Sequence, residues 1–151
     1  MRSIMFAVIA ALGVSSGALA QSLPGSQAPD EPLTVLHHDD DTASFLGARI
    51  PTADGRVMVW SWSFYDTGGR LPNGSSFQNE FDCASRSYRR VRQEVYEGDR
   101  MLWASETPRP FRAPTALEAE TRNMALVCDG GLDTLPKVES PVAARALLRR
   151  R

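Results

Sequence analysis

The chain has 151 residues and a formal net charge of −1, and its 42% apolar and 23% charged residues favour a globular protein over a disordered one. The near-zero charge disfavours a protein that holds nucleic acid electrostatically, so we predict no nucleic-acid partner. The two cysteines, Cys83 and Cys128, cannot complete a four-ligand zinc site on their own.

The N-terminus has the features of a secretory signal peptide. Arg2 is the only charged residue of this segment, and an uncharged, mostly apolar run over 4–14 leads to the small-x-small end Ala18-Leu19-Ala20. A membrane span takes about 20 apolar residues, so the run is too short to be an anchor. We therefore expect cleavage between Ala20 and Gln21, leaving a soluble periplasmic or secreted protein with no membrane span.

The mature chain divides by composition into a leader, a folded unit and a tail. Residues 21–32 are rich in proline and contain no aromatic residue, which is typical of an extended leader. The aromatic side chains of the mature chain all lie between Phe45 and Phe111. We therefore predict one domain over 33–132, followed by a tail over 133–151.

Alternation of residue types predicts about six strands. The clearest is Val57–Tyr65, in which Met58, Trp60, Trp62 and Phe64 share one face by the period of two and are expected to be buried. The other predicted strands cover 33–37, 42–50, 76–83, 85–96 and 101–105, with a turn over 38–41 between the first two.

The pattern changes from strand to helix after the prolines of 108–114. Thr115 and Glu118 form a T-x-x-E capping box, and Gly130-Gly131 is typical of a helix end. Ser140-Pro141 predicts the start of a short helix in the tail. Five residues of the main helix recur at helical spacing and predict a stripe facing the sheet, namely Leu117, Thr121, Met124, Ala125 and Cys128.

These elements define an α+β fold class. We expect an antiparallel sheet of about six strands with one C-terminal helix packed on its apolar face. Cys83 at a strand end and Cys128 on the helix stripe both point into the space between sheet and helix. In an exported chain this favours a disulfide; two free buried thiols or a reactive cysteine are the alternatives.

Four arginines surround one predicted strand. Arg86, Arg89, Arg90 and Arg92 form a candidate anion- or partner-binding patch, with Arg90 and Arg92 on the same face. An ordinary solvated strand face is the alternative interpretation, especially if Glu80 and Glu94 pair with the arginines.

The sequence contains no complete catalytic or metal-binding set. His37-His38 precedes three aspartates, but adjacent strand residues point to opposite faces, and no distant His or Cys completes a site. There is no G-x-S-x-G, H-E-x-x-H or phosphate loop. We predict no metal, no cofactor and no enzymatic activity; an envelope enzyme using Asp82 or Glu80 is one alternative.

A second alternative is a carrier of small hydrophobic ligands. Trp60, Trp62, Phe64 and Trp103 could line an apolar pocket, but the burial habits of these residue types favour a packed core.

Four segments within residues 33–130 share a pattern with a known family. They are the strand Val57–Tyr65, the run Glu80–Arg89 with its F-D-C-A-x-R-x-Y core, the turn Val95–Gly98 and the helix end Leu126–Cys128. The chain thereby resembles the surface-adhesin protein E-like family of small exported bacterial domains. The resemblance implies a sheet tied to a C-terminal helix by the cysteine pair, self-association as a homodimer, and binding of a protein or envelope component.

The predicted cleavage site can be tested by N-terminal sequencing of the exported protein, which should begin at Gln21. A variant with Ala18→Arg and Ala20→Arg loses the small residues that signal peptidase requires and should accumulate uncut. An exported protein that begins at Met1, or remains in the membrane fraction, would contradict the prediction.

Overall fold

A computed structural model describes residues 27–67 and 73–148, which form one antiparallel sheet and two short helices. The elements in chain order are β1 (Leu33–His38), β2 (Thr42–Leu46), β3 (Ile50–Pro51), β4 (Val57–Tyr65), β5 (Asn73–Asp82), β6 (Ser87–Glu97), β7 (Arg100–Ser105), α1 (Ala119–Cys128), a single 3-10 turn (Leu132–Thr134), β8 (Lys137–Val138) and α2 (Pro141–Ala146).

The strands lie in the order β7-β6-β5-β4-β2-β1-β8, and β3 pairs with β4 outside this path. The expected antiparallel sheet and C-terminal helix are confirmed, but the strand number is wrong, since the described residues form eight strands. The predicted strand over 42–50 is divided into β2 and β3, and the tail contributes β8.

The tail also forms α2, whose N-cap Ser140 accepts a hydrogen bond from the Ala143 amide at 3.1 Å.

Gly47 follows the last residue of β2, and the side chain of Glu31 lies where a side chain at Gly47 would be. A Cβ added at Gly47 would approach Oε1 of Glu31 to 2.4 Å. That oxygen accepts a hydrogen bond from the Ala48 amide at 2.9 Å, and the Gly47 amide donates to the Trp60 carbonyl at 2.8 Å. The leader therefore packs against the sheet where the long predicted strand is interrupted.

One core lies on the sheet face that carries Trp60, Trp62 and Phe64. The Trp62 ring stacks on Phe64 and on Tyr96, with centroids 5.8 and 5.7 Å apart. The predicted burial of Trp60, Trp62 and Phe64 is confirmed, whereas Met58, predicted to be buried with them, is only partly buried. We call this cluster the tryptophan core; its other buried members are Ala28, Leu33, Ala43, Phe45, Ala144 and Leu148.

A second core lies on the opposite face, nearer the start of β4. Val57 and Val59 alternate with Trp60 along the strand, so they point to the other side of the sheet. They pack with Phe81 and Tyr88, whose rings stack at 6.1 Å, and α1 covers them. We call this cluster the disulfide core. The sheet is thus buried on both faces, whereas the sequence predicted one apolar face.

The covering helix α1 begins later than the capping box predicts. The Thr115 amide does donate to the Glu118 carboxylate at 2.8 Å, but 115–118 form a turn and the helix starts at Ala119. Leu117 therefore precedes the helix and is fully exposed. The stripe that packs on the sheet differs from the predicted one: Met124, Leu126, Val127 and Cys128 contribute, whereas Thr121 and Ala125 are exposed.

The predicted disulfide between Cys83 and Cys128 is confirmed. It joins the residue after β5 to the last residue of α1, across 45 positions of sequence, with the two Cα atoms 5.3 Å apart. Because both cysteines border the disulfide core, the bond holds α1 against the sheet.

Several sequence predictions fall outside the described residues, namely the signal peptide and its cleavage site, the leader before Gln27 and the end of the tail after Leu148. Within 27–67 and 73–148, no helix is long and apolar enough to cross a membrane.

Replacing Cys83 and Cys128 together with serine should lower the free energy of unfolding by about 2–5 kcal/mol, because the cross-link restricts the unfolded chain. Urea unfolding followed by tryptophan fluorescence measures the change. Reductant should destabilise the parent protein by a similar amount and leave the double variant unchanged. A loss below about 1 kcal/mol would show that packing alone holds α1 in place.

Candidate functional site

The candidate site lies along β6, whose outer edge is covered by two different segments. β7 pairs with the half of β6 from Gln93 to Glu97. Residues 106–114, which we call the strap, return along the other half: Tyr88 and Arg112 exchange two backbone hydrogen bonds, and the Arg109 amide donates to the Arg90 carbonyl at 3.0 Å. Val91 and Arg92 lie at the break between the two covering segments.

A β-bulge at this break separates two of the predicted patch residues. Asn79 pairs with Arg90 but its neighbour Gln78 pairs with Arg92, so Val91 is an extra residue in β6. Arg90 therefore lies on the face of Phe77, and Arg92 lies on the face of the tryptophan core. The prediction that Arg90 and Arg92 share a face is wrong, because strict alternation does not account for a bulge.

Arg92 is part of a buried polar network. The Glu94 carboxylate, fully buried, accepts hydrogen bonds from Arg92 Nε at 2.7 Å, from the hydroxyls of Ser76 and Tyr96 and from the Gln27 amide. A buried carboxylate needs such partners, because losing water otherwise costs several kcal/mol. Arg92 also pairs with Glu106 of the strap. Its guanidinium is thus engaged within the fold.

Arg86 and Arg89 are held by carboxylates at two other places. Arg86 has a positive φ of 53° in the β5–β6 turn and makes a two-pronged pair with Asp129, just after α1. Arg89 donates to Glu80 at 2.5 Å and lies over the Phe111 ring, on the face of the tryptophan core. The structure therefore does not bring the four predicted patch residues together on one surface.

Near this break, Arg90 and Arg109 have N–H donors without a partner among the described residues. Arg90 makes one hydrogen bond to Glu120 at 3.2 Å and stacks over Phe77 at 3.9 Å, while its buried Nε has no partner among the described residues. Arg109 is exposed, and its side chain makes no ion pair or hydrogen bond within the described part of the chain.

Two clefts meet at these arginines. The edge cleft, of about 150 Å³, lies where β7 ends and is bordered by Gln93, Trp103, Ser105 and Thr107. The strap cleft, of about 220 Å³, lies between the strap and the start of α1 and is bordered by Tyr88, Arg112, Glu118 and Glu120. Both clefts are lined by Arg90 and Arg109.

Charge pairing orders the wall of the strap cleft. Arg112 donates to both oxygens of Glu118, at 2.6 and 2.9 Å, and to the Tyr88 hydroxyl at 2.5 Å. The hydrogen bonds from Arg112, with that from the Thr115 amide, lower the pKa of Glu118 to about 2. Burial, helped by the charge of Glu120, raises the pKa of Tyr88 above its ordinary value.

The carboxylates proposed for catalysis have structural partners instead. Glu80 is 4% exposed and lies between Arg56 and Arg89. Asp82 accepts hydrogen bonds from the amides of Ala84 and Ser85, and these lower its pKa.

The histidine–aspartate stretch forms a turn. Asp39 accepts hydrogen bonds from the amides of Asp41 and Thr42, and its contact with His37 contributes most to lowering its pKa. Over the described residues, no group of three or more His, Cys, Asp or Glu side chains is arranged to hold a metal ion.

The four aromatic residues proposed to line a ligand pocket do not come together. Trp60, Trp62 and Phe64 are buried in the tryptophan core. Trp103 pairs with Val95 on the opposite face and is 50% exposed.

Sequence reasoning missed Arg109 as a candidate. It stands between Pro108 and Pro110, which hold the backbone extended and outside regular structure. An arginine so placed is a recognisable signal, but its proximity to Arg90 follows only from the path of the strap.

No protein-family model matches the chain, and neither the curated proteins nor the solved structures contain a significant match.

The Glu118–Arg112 pair gives a pH-dependent prediction. Since the pKa of Glu118 is lowered from 4.5 to about 2, the pair stabilises the fold above pH 4.5, and this contribution is lost as the pH falls towards 2. Arg112→Gln should return the pKa of Glu118 towards 4.5, as measured by a ¹³C NMR titration of its carboxyl group. Arg122→Gln, at an exposed position of α1, should leave that pKa unchanged. A parent midpoint already near 4.5 would refute the pairing.

Proposed function

We propose that the chain is a non-enzymatic, exported binding module of the surface-adhesin protein E-like type, which holds a protein or envelope component at the β6–β7 end of its sheet. The observation that carries the proposal is the composition of the terminal strand β7. Leu102 and Trp103 are 52% and 50% exposed there, and Trp103 lines the edge cleft together with Arg109. Tryptophan and arginine are the residues that most often dominate binding energy at interfaces.

The position of these residues at a sheet edge supports the proposal. Edge strands in natural proteins usually carry charges, prolines or covering segments that discourage contact. The strap supplies such cover to one half of β6, but two large apolar side chains project from β7, where a polar surface would be expected. Exposed apolar groups of this kind mark interaction sites.

Export is part of the proposal and rests on two independent features. The N-terminal sequence has the charge, apolar run and small residues of a signal peptide. The Cys83–Cys128 disulfide is typical of an oxidising compartment outside the cytosol.

Binding without catalysis is favoured by the engaged state of the candidate carboxylates. Glu80 forms ion pairs with Arg56 and Arg89, and Asp82 accepts hydrogen bonds within a turn. Neither borders the edge cleft or the strap cleft. A general acid or base must be within reach of a bound substrate.

The proposal predicts that Leu102→Ser with Trp103→Ser weakens binding to isolated bacterial envelope fragments by about tenfold or more, because apolar contact at the edge is lost. Co-sedimentation with increasing amounts of fragments measures the affinity. Ile50→Ser is the matched control, since Ile50 is an exposed apolar residue on β3, away from the edge.

Unchanged binding by the double variant, with its thermal unfolding preserved, would count against the edge as the binding surface. Turnover of an envelope substrate that is abolished by Glu80→Gln would reverse the proposal of a non-enzymatic role. A dimer in gel filtration that the double variant abolishes would identify the partner at β7 as a second copy of the chain.

A further inference from the structure

The edge cleft opens on one face of the sheet. Gln93 pairs with Ser105, and Arg90 with Asn79; the register places these side chains on the face of Trp103, opposite the tryptophan core. The α1 helix covers this face only around the disulfide core. The cleft is therefore reached from the uncovered part of the face, and a ligand there would lie across the sheet surface.

The lining of the edge cleft favours an anion. Arg90, Arg92 and Arg109 border it and no carboxylate does, but the side chain of Arg92 lies on the opposite face of the sheet. Arg92 is engaged by Glu94 and Glu106, which leaves Arg90 and Arg109 to meet a ligand charge. Guanidinium groups with free N–H donors bind carboxylates through paired, charge-assisted hydrogen bonds.

The remaining wall favours a ligand that is both polar and ring-shaped. Trp103 offers a half-exposed aromatic surface, and Gln93, Ser105 and Thr107 add an amide and two hydroxyls. These groups can exchange hydrogen bonds with ligand hydroxyls while the indole contacts the less polar face of a ring. An aromatic surface, hydroxyl partners and a guanidinium together match a sugar that carries a carboxylate.

The size and arrangement of the two clefts favour a chain of such sugars. Each cleft is smaller than the roughly 300–1,000 Å³ of a pocket for a drug-sized ligand. Because Arg90 and Arg109 line both clefts, acidic groups on successive units of a polymer could contact the same pair of arginines from either side. Glu118 and Glu120 of the strap cleft are paired with Arg112 and Arg90, so a ligand carboxylate would be met by Arg109 and by the remaining donors of Arg90.

We infer that the edge and strap clefts form a binding groove for a carboxylate-bearing polysaccharide, with Arg109 and Arg90 as the anion contacts and Trp103 as the ring contact. The inference rests on the proposed binding function and names the chemistry of its envelope partner.

The test uses the full mature protein and a hexamer of galacturonic acid as the probe, with its fully methyl-esterified form as the uncharged control. Isothermal titration should show binding of the acid and none of the ester, and the affinity should fall between about 10 and 150 mM salt. Arg109→Gln and Trp103→Ala should each weaken binding by about tenfold. Arg109→Lys should recover only part of the loss, because it keeps the charge without the guanidinium fork.

Arg49→Gln is the matched control variant. Arg49 is also exposed but lies between β2 and β3, so its removal changes the net charge equally and should alter the affinity by less than about twofold. Circular dichroism of every variant establishes that the fold is retained; Arg109 is exposed, and its side chain has no partner to lose among residues 27–67 and 73–148.

Four results would overturn the inference: equal binding of the methyl ester, equal loss with Arg49→Gln, equally tight binding of inorganic sulfate, or binding of phosphatidylglycerol vesicles in place of the hexamer. If the hexamer fails to bind but envelope fragments still bind through Leu102 and Trp103, the groove is refuted and the binding module stands. If the protein binds neither, both proposals fail.

Discussion

The sheet buries apolar side chains on both faces, and burial passes from one face to the other within β4, between Val59 and Trp60. Each face therefore needs its own cover. The α1 helix, held by the disulfide, covers Val57 and Val59, while α2 and Ala28 close the other face over Trp62. Neither α1 nor α2 extends along a whole face of the sheet, so polar residues occupy the parts of each face that remain uncovered. The edge cleft occupies one of these uncovered regions, so the site is a consequence of how the two cores are divided.

The same division explains why so many arginines border β6 and so few are available to a ligand. A charged group close to a core must be paired, because desolvation otherwise costs more than packing returns. Arg92 is engaged by Glu94 and Arg89 by Glu80. The bulge at Val91 sends Arg90 to the opposite face, where one hydrogen bond to Glu120 leaves other donors unused. The strap then brings Arg109 to the same point.

Features that depend on local chemistry could be predicted from the sequence. The disulfide, the strand Val57–Tyr65 and the N-cap Ser140 all follow from residue type and spacing. The change of buried face within β4 could not be predicted, because Val59 and Trp60 are both apolar and alternation alone does not say which contacts a helix. The bulge at Val91 could not be predicted either, because the register of β6 is set by its pairing with β5. The shared face predicted for Arg90 and Arg92 was wrong because of this bulge, and Arg86 lies in the turn before β6. Arg109 was missed because its position depends on tertiary structure.

The two ends of the described chain meet in one place, and this sets an order on folding. The tryptophan core contains Ala28 near the beginning and Ala144 and Leu148 near the end, whereas the disulfide core is complete by Leu132. A chain synthesised from its N-terminus can assemble the disulfide core first. The tryptophan core closes only when Ala144 and Leu148 are available. Until then Trp60, Trp62 and Phe64 lack part of their cover, and the incomplete domain exposes apolar side chains that favour aggregation.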